Sequence, residues 1–252
     1  MQLSTEMTEE QVKQLRIGWD LLIDIDTPYL DYGRITAELI IEALKFHNVH
    51  SFGVKYSGSR GFHIGVPYKA FPERIGEIET KNFFPDGARA ITKYLYEIIR
   101  NRLAERINEV SGTRFKDAVL PDLVLVSPRH LFRMPYSLHE KTGLSSIVIK
   151  PEQLKNFKPS WAKPELVMIK PFLPEPEKNE ARELLIQAMD WHARQKEAEK
   201  AKTEVNKVAY AEIVIKDLTP NLYPPCLTNI IAGVKQDGRK RALFVLLNFF
   251  KS

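Results

Sequence analysis

The chain has 252 residues, 44% of them hydrophobic and 27% charged, which sets aside fibrous and disordered classes and leaves enough apolar matter for a real core. Its 37 basic against 32 acidic residues give a net charge of +5, compatible with a polyanionic partner but not sufficient to establish one. The one cysteine, Cys226, excludes an internal disulfide and suits a reducing compartment, and no apolar run approaches the roughly 18 residues that cross a bilayer.

The first fourteen residues are polar and acidic, without an apolar signal segment, so a cytoplasmic location is expected. Thr5–Leu15 reads as a short helix capped by Ser4 or Thr5. The stretch Leu21–Ile25 reads as a buried strand, apolar except for Asp24. Alternation along a strand turns Asp24 and Asp26 to one face. Two adjacent carboxylates repel and cost desolvation, and a divalent cation relieves both; the bland alternative is a pair of turn-capping aspartates.

Gly33 reads as the end of the next turn, and Arg34–Phe46 as an amphipathic helix burying Ile35, Leu39, Ile40, Ala43 and Leu44. A strand over Ser51–Tyr56 runs into Ser57-Gly58-Ser59-Arg60-Gly61-Phe62-His63, and Ile64–Val66 continues extended. Small residues at such a bend let backbone N–H groups approach a phosphate, Arg60 adds a guanidinium fork and His63 a further donor; the alternative is an ordinary glycine-rich bend. Pro67–Pro85 reads as a loop region. Asp86 is placed to cap a helix from Gly87 to about Val110, with Ile91, Tyr94, Leu95, Ile98, Leu103 and Ile107 as its core stripe.

Leu120–Val126 reads as a third strand carrying Asp122, again a carboxylate in an apolar run. Arg129, His130, Arg133, His139 and Lys141 follow, interleaved with Leu131, Phe132, Met134, Tyr136 and Leu138, which suits a partly buried segment facing a triphosphate. Ser145–Lys150 reads as a further strand. Five prolines break up the stretch from Phe157 to Pro176, which reads as a partly extended linker. Glu177 to about Lys207 reads as a charged helix with Leu184, Leu185, Ala188 and Trp191 inward and an exposed second half. In the tail, Leu227–Val234 and Ala242–Phe250 read as helices; the second is apolar around most of its surface and should pack on something. Cys226 reads as a small buried residue.

In this order, the segments resemble the catalytic (small) subunit of archaeal and eukaryotic DNA primases, in the archaeo-eukaryotic primase superfamily. Asp24-x-Asp26 is similar to its metal-binding carboxylates. Ser57 to His63 is similar to its phosphate motif. Asp122, with the run His130-Leu131-Phe132-Arg133-Met134-Pro135-Tyr136-Ser137-Leu138-His139-Glu140-Lys141-Thr142-Gly143, is similar to its third carboxylate and nucleotide-binding segment. The resemblance implies an α/β catalytic core, a mixed sheet flanked by helices, followed by a helical C-terminal tail. It implies a core over 1–156, a linker over 157–176, a charged helical segment over 177–219 and a helical unit over 220–252.

It further implies that Asp24, Asp26 and Asp122 hold two Mg²⁺ or Mn²⁺ ions. Ser57, Gly58, Ser59, Arg60, Gly61 and His63, helped by Arg133 and His139, would hold an incoming nucleoside triphosphate on a single-stranded DNA template. The location would then be nucleoid-associated, and the activity primer synthesis. Tyr223-Pro224-Pro225-Cys226-Leu227-Thr228-Asn229 and the Gly238-Arg239-Lys240-Arg241 helix resemble the start of the primase large-subunit iron–sulfur domain, where Cys226 would be one of four ligands.

The chain departs from the family in several places. Ser59 stands where the family has a basic residue, and one cysteine cannot build its zinc module. Only 23 residues precede Asp24, and three cluster cysteines are missing, so a companion chain is expected, and a cluster only with ligands from that chain. The rival reading is a nucleotide- or nucleic-acid-binding half of a split primase, inactive alone; a third is a repair polymerase of the same superfamily.

Overall fold

A computed structural model describes residues 7–111, 131–205, 223–233 and 238–251. The first helix, α1, spans Glu9–Gln14, later than expected. Its cap is Thr8: the Gln11 N–H donates to Thr8 Oγ1 at 3.3 Å and the Thr8 N–H to Gln11 Oε1 at 2.9 Å, a reciprocal capping box.

Strand β1, Leu21–Ile25, is where the alternation predicts it. Helix α2 spans Leu30–Phe46, so it starts four residues before the expected Arg34, and Gly33 lies inside it. The reason is Thr27. Its hydroxyl accepts from the Tyr29 N–H at 3.2 Å and donates to the Tyr29 carbonyl at 3.1 Å, a tight turn that lets the helix begin at once. Gly33 is needed for close packing: a Cβ there would lie 2.8 Å from Thr27 Cγ2 and 3.3 Å from the Arg60 carbonyl.

Strands β2, Gly53–Tyr56, and β3, Phe62–Val66, follow. A short hairpin, β4 Arg74–Ile75 with β5 Ile78–Glu79, gives structure to the expected loop region. That region is tied down by Trp19, whose indole N–H donates to the Thr80 carbonyl at 2.8 Å and whose ring lies 4.9 Å from Phe71. Helix α3 spans Asp86–Ser111. Ile91, Leu95, Leu103 and Ile107 are buried as predicted, but Ile98 is exposed and Ile99 takes the inward place, continuing a spacing of four. The expected strand with Asp122 lies outside the described residues.

Strand β6, Val148–Ile149, completes an antiparallel sheet ordered β1-β3-β2-β6. One face carries Leu21, Ile23, Ile25, Val54, Tyr56, Phe62, Ile64 and Val66, all buried in a core shared with α2 and α3. Burying side chains of this size supplies about 1.5–3 kcal/mol each and holds the sheet on its helices. The other face carries Leu22, Gly65 and Gly53 in one cross-strand row, and Asp24, His63 and Lys55 in the next.

This second face corrects the expected linker over 157–176. Phe157 is buried against Tyr56 and Phe62 of the first face and Ala162 is buried too, while Phe172 and Leu173 lie against the glycine row of the second. A Cβ at Gly53 would run into the Phe172 carbonyl, and one at Gly65 would lie 2.7 Å from Leu173 Cδ2. The Tyr136 hydroxyl accepts from the Lys170 N–H and donates to its carbonyl at 2.7 Å. The segment is therefore a strap over the sheet. Prolines remove donors that a sheet would use, yet leave the side chains free to pack.

Helix α4, Arg182–Val205, buries Leu184, Leu185 and Ala188, and its residues 193–199 are exposed, as expected. The compact unit built on the sheet runs to Ala201, so neither end of the strap is a domain boundary; a second unit spans Lys202–Ser252. In it, α5 covers Pro225–Ile231 and α6 covers Arg239–Lys251. Among its described residues Leu227 is buried, and Tyr223 meets Phe249 and Phe250 with ring centroids 5.8 Å apart. Cys226 is exposed, against expectation, because the neighbouring Leu227 takes the inward position on α5. Leu243, Phe244, Val245, Leu247 and Phe250 of α6 are also exposed. No described helix is long and apolar enough to cross a membrane.

Candidate active site at the end of the sheet

Three strands bring Asp24, His63 and Lys55 side by side in register. The His63 ring is buried, with 5% of its side chain exposed, while Asp24 keeps 22%. His63 Nε2 lies 3.1 Å from Asp24 Oδ1, and His63 Nδ1 lies 2.5 Å from Lys55 Nζ. Lys55 also donates to Ser146 Oγ at 2.9 Å, and the Ser146 hydroxyl donates to the Tyr56 carbonyl at 2.7 Å. Phe132 covers the group, its ring centroid 4.4 Å from Lys55 Nζ and 4.8 Å from the His63 ring.

Burial pushes the Lys55 ammonium down to about 7; Asp24 opposes the shift and Arg133 adds to it. Burial also lowers His63, against the hydrogen bond to Asp24. The sequence reading assigned His63 to phosphate. Here both ring nitrogens are engaged, one by the carboxylate and one by Lys55. Lys55 itself was missed. Its signal was available: a lysine in an apolar strand, at the parity of His63 across the bend.

Asp26 is exposed just past β1, and its Oδ1 accepts from the Thr27 N–H at 2.9 Å. The turn-capping alternative thus holds for one oxygen of Asp26. The 57–61 bend is brought to this carboxylate by Gly61, where a Cβ would collide with the Ile25 carbonyl and sit 3.4 Å from Asp26 Cα. Ser57 organises the bend from inside. Its Oγ accepts from the N–H groups of Ser59 at 3.3 Å and Gly61 at 3.1 Å, and Tyr56 donates its hydroxyl to the Ser59 carbonyl. Arg60 is exposed at the tip of the bend.

Gly58 has φ +93°, which favours glycine, and a Cβ there would lie 2.8 Å from His139 Cβ. The Thr142 hydroxyl donates to the Gly58 carbonyl at 2.6 Å. The turn over residues 133–144 therefore docks on the 57–61 bend. Arg133 is held by the Leu138 carbonyl at 3.1 Å and Glu140 at 2.8 Å, and His139 Nδ1 accepts from the Lys141 N–H at 3.2 Å. Ser59 supplies no charge to this end of the bend. Asp122 and His130 lie outside the described residues.

Asp24 and Asp26 are hard oxygen donors on same-parity positions, partly open to solvent, and they suit a hard cation such as Mg²⁺ or Mn²⁺. Among the described residues, no group of three His, Cys, Asp or Glu could hold a metal. Two carboxylates are enough for one ion that shares its shell with a substrate phosphate. Cys226 offers a single thiolate and does not by itself fit an iron–sulfur cluster.

A two-carboxylate strand end thus meets a glycine-rich bend and a turn that carries Arg133, His139 and Lys141. The sequence matches the family described as DNA primase small subunit over residues 23–151, and the chain belongs to that family. Among solved structures it is similar to the polymerase domain of Mycobacterium tuberculosis ligase D in complex with DNA, at 18% identity and a TM-score of 0.35. The similarity covers 54% of this chain and 45% of that chain, so this chain spans less than half of that structure. No curated protein matches the chain.

Proposed function

We propose that the chain is the catalytic part of a DNA primase, which joins nucleotides on a single-stranded DNA template. The observation that carries this reading is the meeting of Asp24 and Asp26 with the Ser57–His63 bend, fixed by the Gly61 approach to Ile25. In the reaction a 3′-hydroxyl attacks the α-phosphate of a nucleoside triphosphate; a P–O bond forms to the primer and pyrophosphate leaves. Asp24 and Asp26, with Asp122, hold the divalent cations, Mg²⁺ or Mn²⁺, which supply charge neutralisation. Arg60, Arg133 and His139 bind and orient the triphosphate through the bend and the docked turn. His63 and Lys55 stand behind Asp24.

The family description names a subunit, which favours a companion chain; an iron–sulfur cluster at Cys226 would need its other three ligands from that chain. The test is unprimed synthesis on single-stranded DNA with Mg²⁺ or Mn²⁺ and labelled nucleotides. Short products are expected and should vanish in Asp24→Ala; products that persist in the variant overturn the metal assignment. No product from the wild-type chain, with Asp24-dependent triphosphate binding retained, identifies the split-subunit reading instead.

A further inference from the structure

A buried lysine is costly, because its ammonium is desolvated and a methionine would fill the same space without that cost. Lys55 is buried all the same. It has a defined set of neighbours: Ser146 Oγ, the face of Phe132 and His63 Nδ1. None of these is a ligand of the reaction proposed above.

The donor count fixes the chemistry. An ammonium has only donors, and a neutral amine would accept from Nδ1 only if the ring carried both protons, which the greater basicity of an amine over an imidazole disfavours; at 2.5 Å His63 Nδ1 therefore presents its lone pair. The ring proton is then on Nε2, where it is donated to Asp24 Oδ1 at 3.1 Å. If Nδ1 carried the proton instead, Nε2 would present a lone pair to a carboxylate, and that contact would be repulsive. Ser146 Oγ, itself fixed by donating to the Tyr56 carbonyl, accepts from Lys55 in turn. Among the described residues, Asp24 Oδ2 has no hydrogen-bond partner.

We infer that Lys55 is a positioning residue: it locks His63 in the Nε2–H tautomer and through that ring clamps Asp24 Oδ1, so that Oδ2 is the oxygen offered to a divalent cation. The inference rests on the metal reading of Asp24. Partners behind a liganding group commonly set its affinity by roughly 10–100-fold.

The test uses the full chain and Lys55→Met, a near-isosteric change. Ring ¹⁵N shifts of His63, recorded without metal, report the tautomer. Mn²⁺ affinity is read from the electron paramagnetic resonance of the free ion. In the wild type, His63 is expected to show a protonated Nε2 and an unprotonated Nδ1. In Lys55→Met only Asp24 still selects the tautomer, so the share of rings with an unprotonated Nδ1 should fall and the Mn²⁺ Kd should rise at least about tenfold. If Lys55→Met does not fold, Ser146→Ala removes Lys55's other acceptor, and the same changes are expected severalfold smaller.

A wild-type His63 protonated on Nδ1, or an unchanged tautomer in the variants, overturns the lock. A changed tautomer with unchanged Mn²⁺ affinity overturns the clamp on Asp24. Wild-type protein whose Mn²⁺ binding is absent, or survives Asp24→Ala, overturns the metal reading and the clamp with it, while the tautomer result still decides the lock.

Discussion

Lys55 makes stability depend on pH in a defined direction. In the unfolded chain it holds its proton up to its ordinary value of 10.5; in the folded chain it releases it near 7. The unfolded state therefore binds more protons between these values, and stability rises with pH across that window by up to about 1.4 kcal/mol per pH unit. Below about pH 7 the full cost of the buried charge is present. Asp24 and Arg133 set where the window begins, Asp24 raising that edge and Arg133 lowering it, while His63 holds the amine by its hydrogen bond. Urea unfolding at pH 7, 8, 9 and 10 should show the rise, and Lys55→Met should flatten it.

A second residue-scale expectation concerns Gly61→Ala. The new methyl meets a backbone carbonyl, which cannot swing aside, so about 1–3 kcal/mol of stability should be lost. Triphosphate affinity should fall by about tenfold or more as the bend is pushed off Asp26; calorimetric unfolding and nucleotide titration check the two halves. Asp24 and Asp26 were legible in the sequence because a carboxylate inside an apolar run must be accounted for. Lys55 left a weaker trace, a lysine in an apolar strand at the parity of His63, and the register Asp24–His63–Lys55 is what turns it into part of a site.

At the scale of elements, the sheet is two surfaces with different coverings. The apolar surface was legible as alternation in β1 and as the stripe of α2. The bare surface was not, because the pairing of Gly53 with Gly65 is a tertiary fact, and the strap that fills it has the proline content of a free connector. Local composition pointed one way and the packing partner another. Gly53→Ala tests the fit. The methyl would displace Phe172, so trypsin should cut the lysines of residues 157–176 well before it cuts α2, whereas the wild-type strap should resist. The early start of α2 has a similar origin: the Thr27 hydroxyl, not the glycine, decides where the helix begins.

At the scale of the whole molecule, the main buried cluster is contained between Trp19 and Ala188, and the second unit has its own small set of contacts around Leu227 and Tyr223. A chain ending at Ala201 should therefore unfold within about 2 °C of the full chain's midpoint in differential scanning calorimetry. What the shorter chain should lose is any self-association or subunit binding that uses the exposed apolar side chains of α6. The helical tail was legible from its composition, but its unpacked surface was not, since the sequence states only that such a helix should be covered.

The strap also sets an order of events during folding. Gly53 and Phe172 are about 120 residues apart, and closing so long a loop is repaid only when the surface that receives it already exists. β1, β2 and β3, which are close in sequence, can pair first and leave Lys55 hydrated and charged on an open surface. Docking of Phe132 and of the strap's Phe172 strips that water, and Lys55 then settles against His63. The carboxylate end of the sheet, written earliest in the chain, is thus among the last parts to mature.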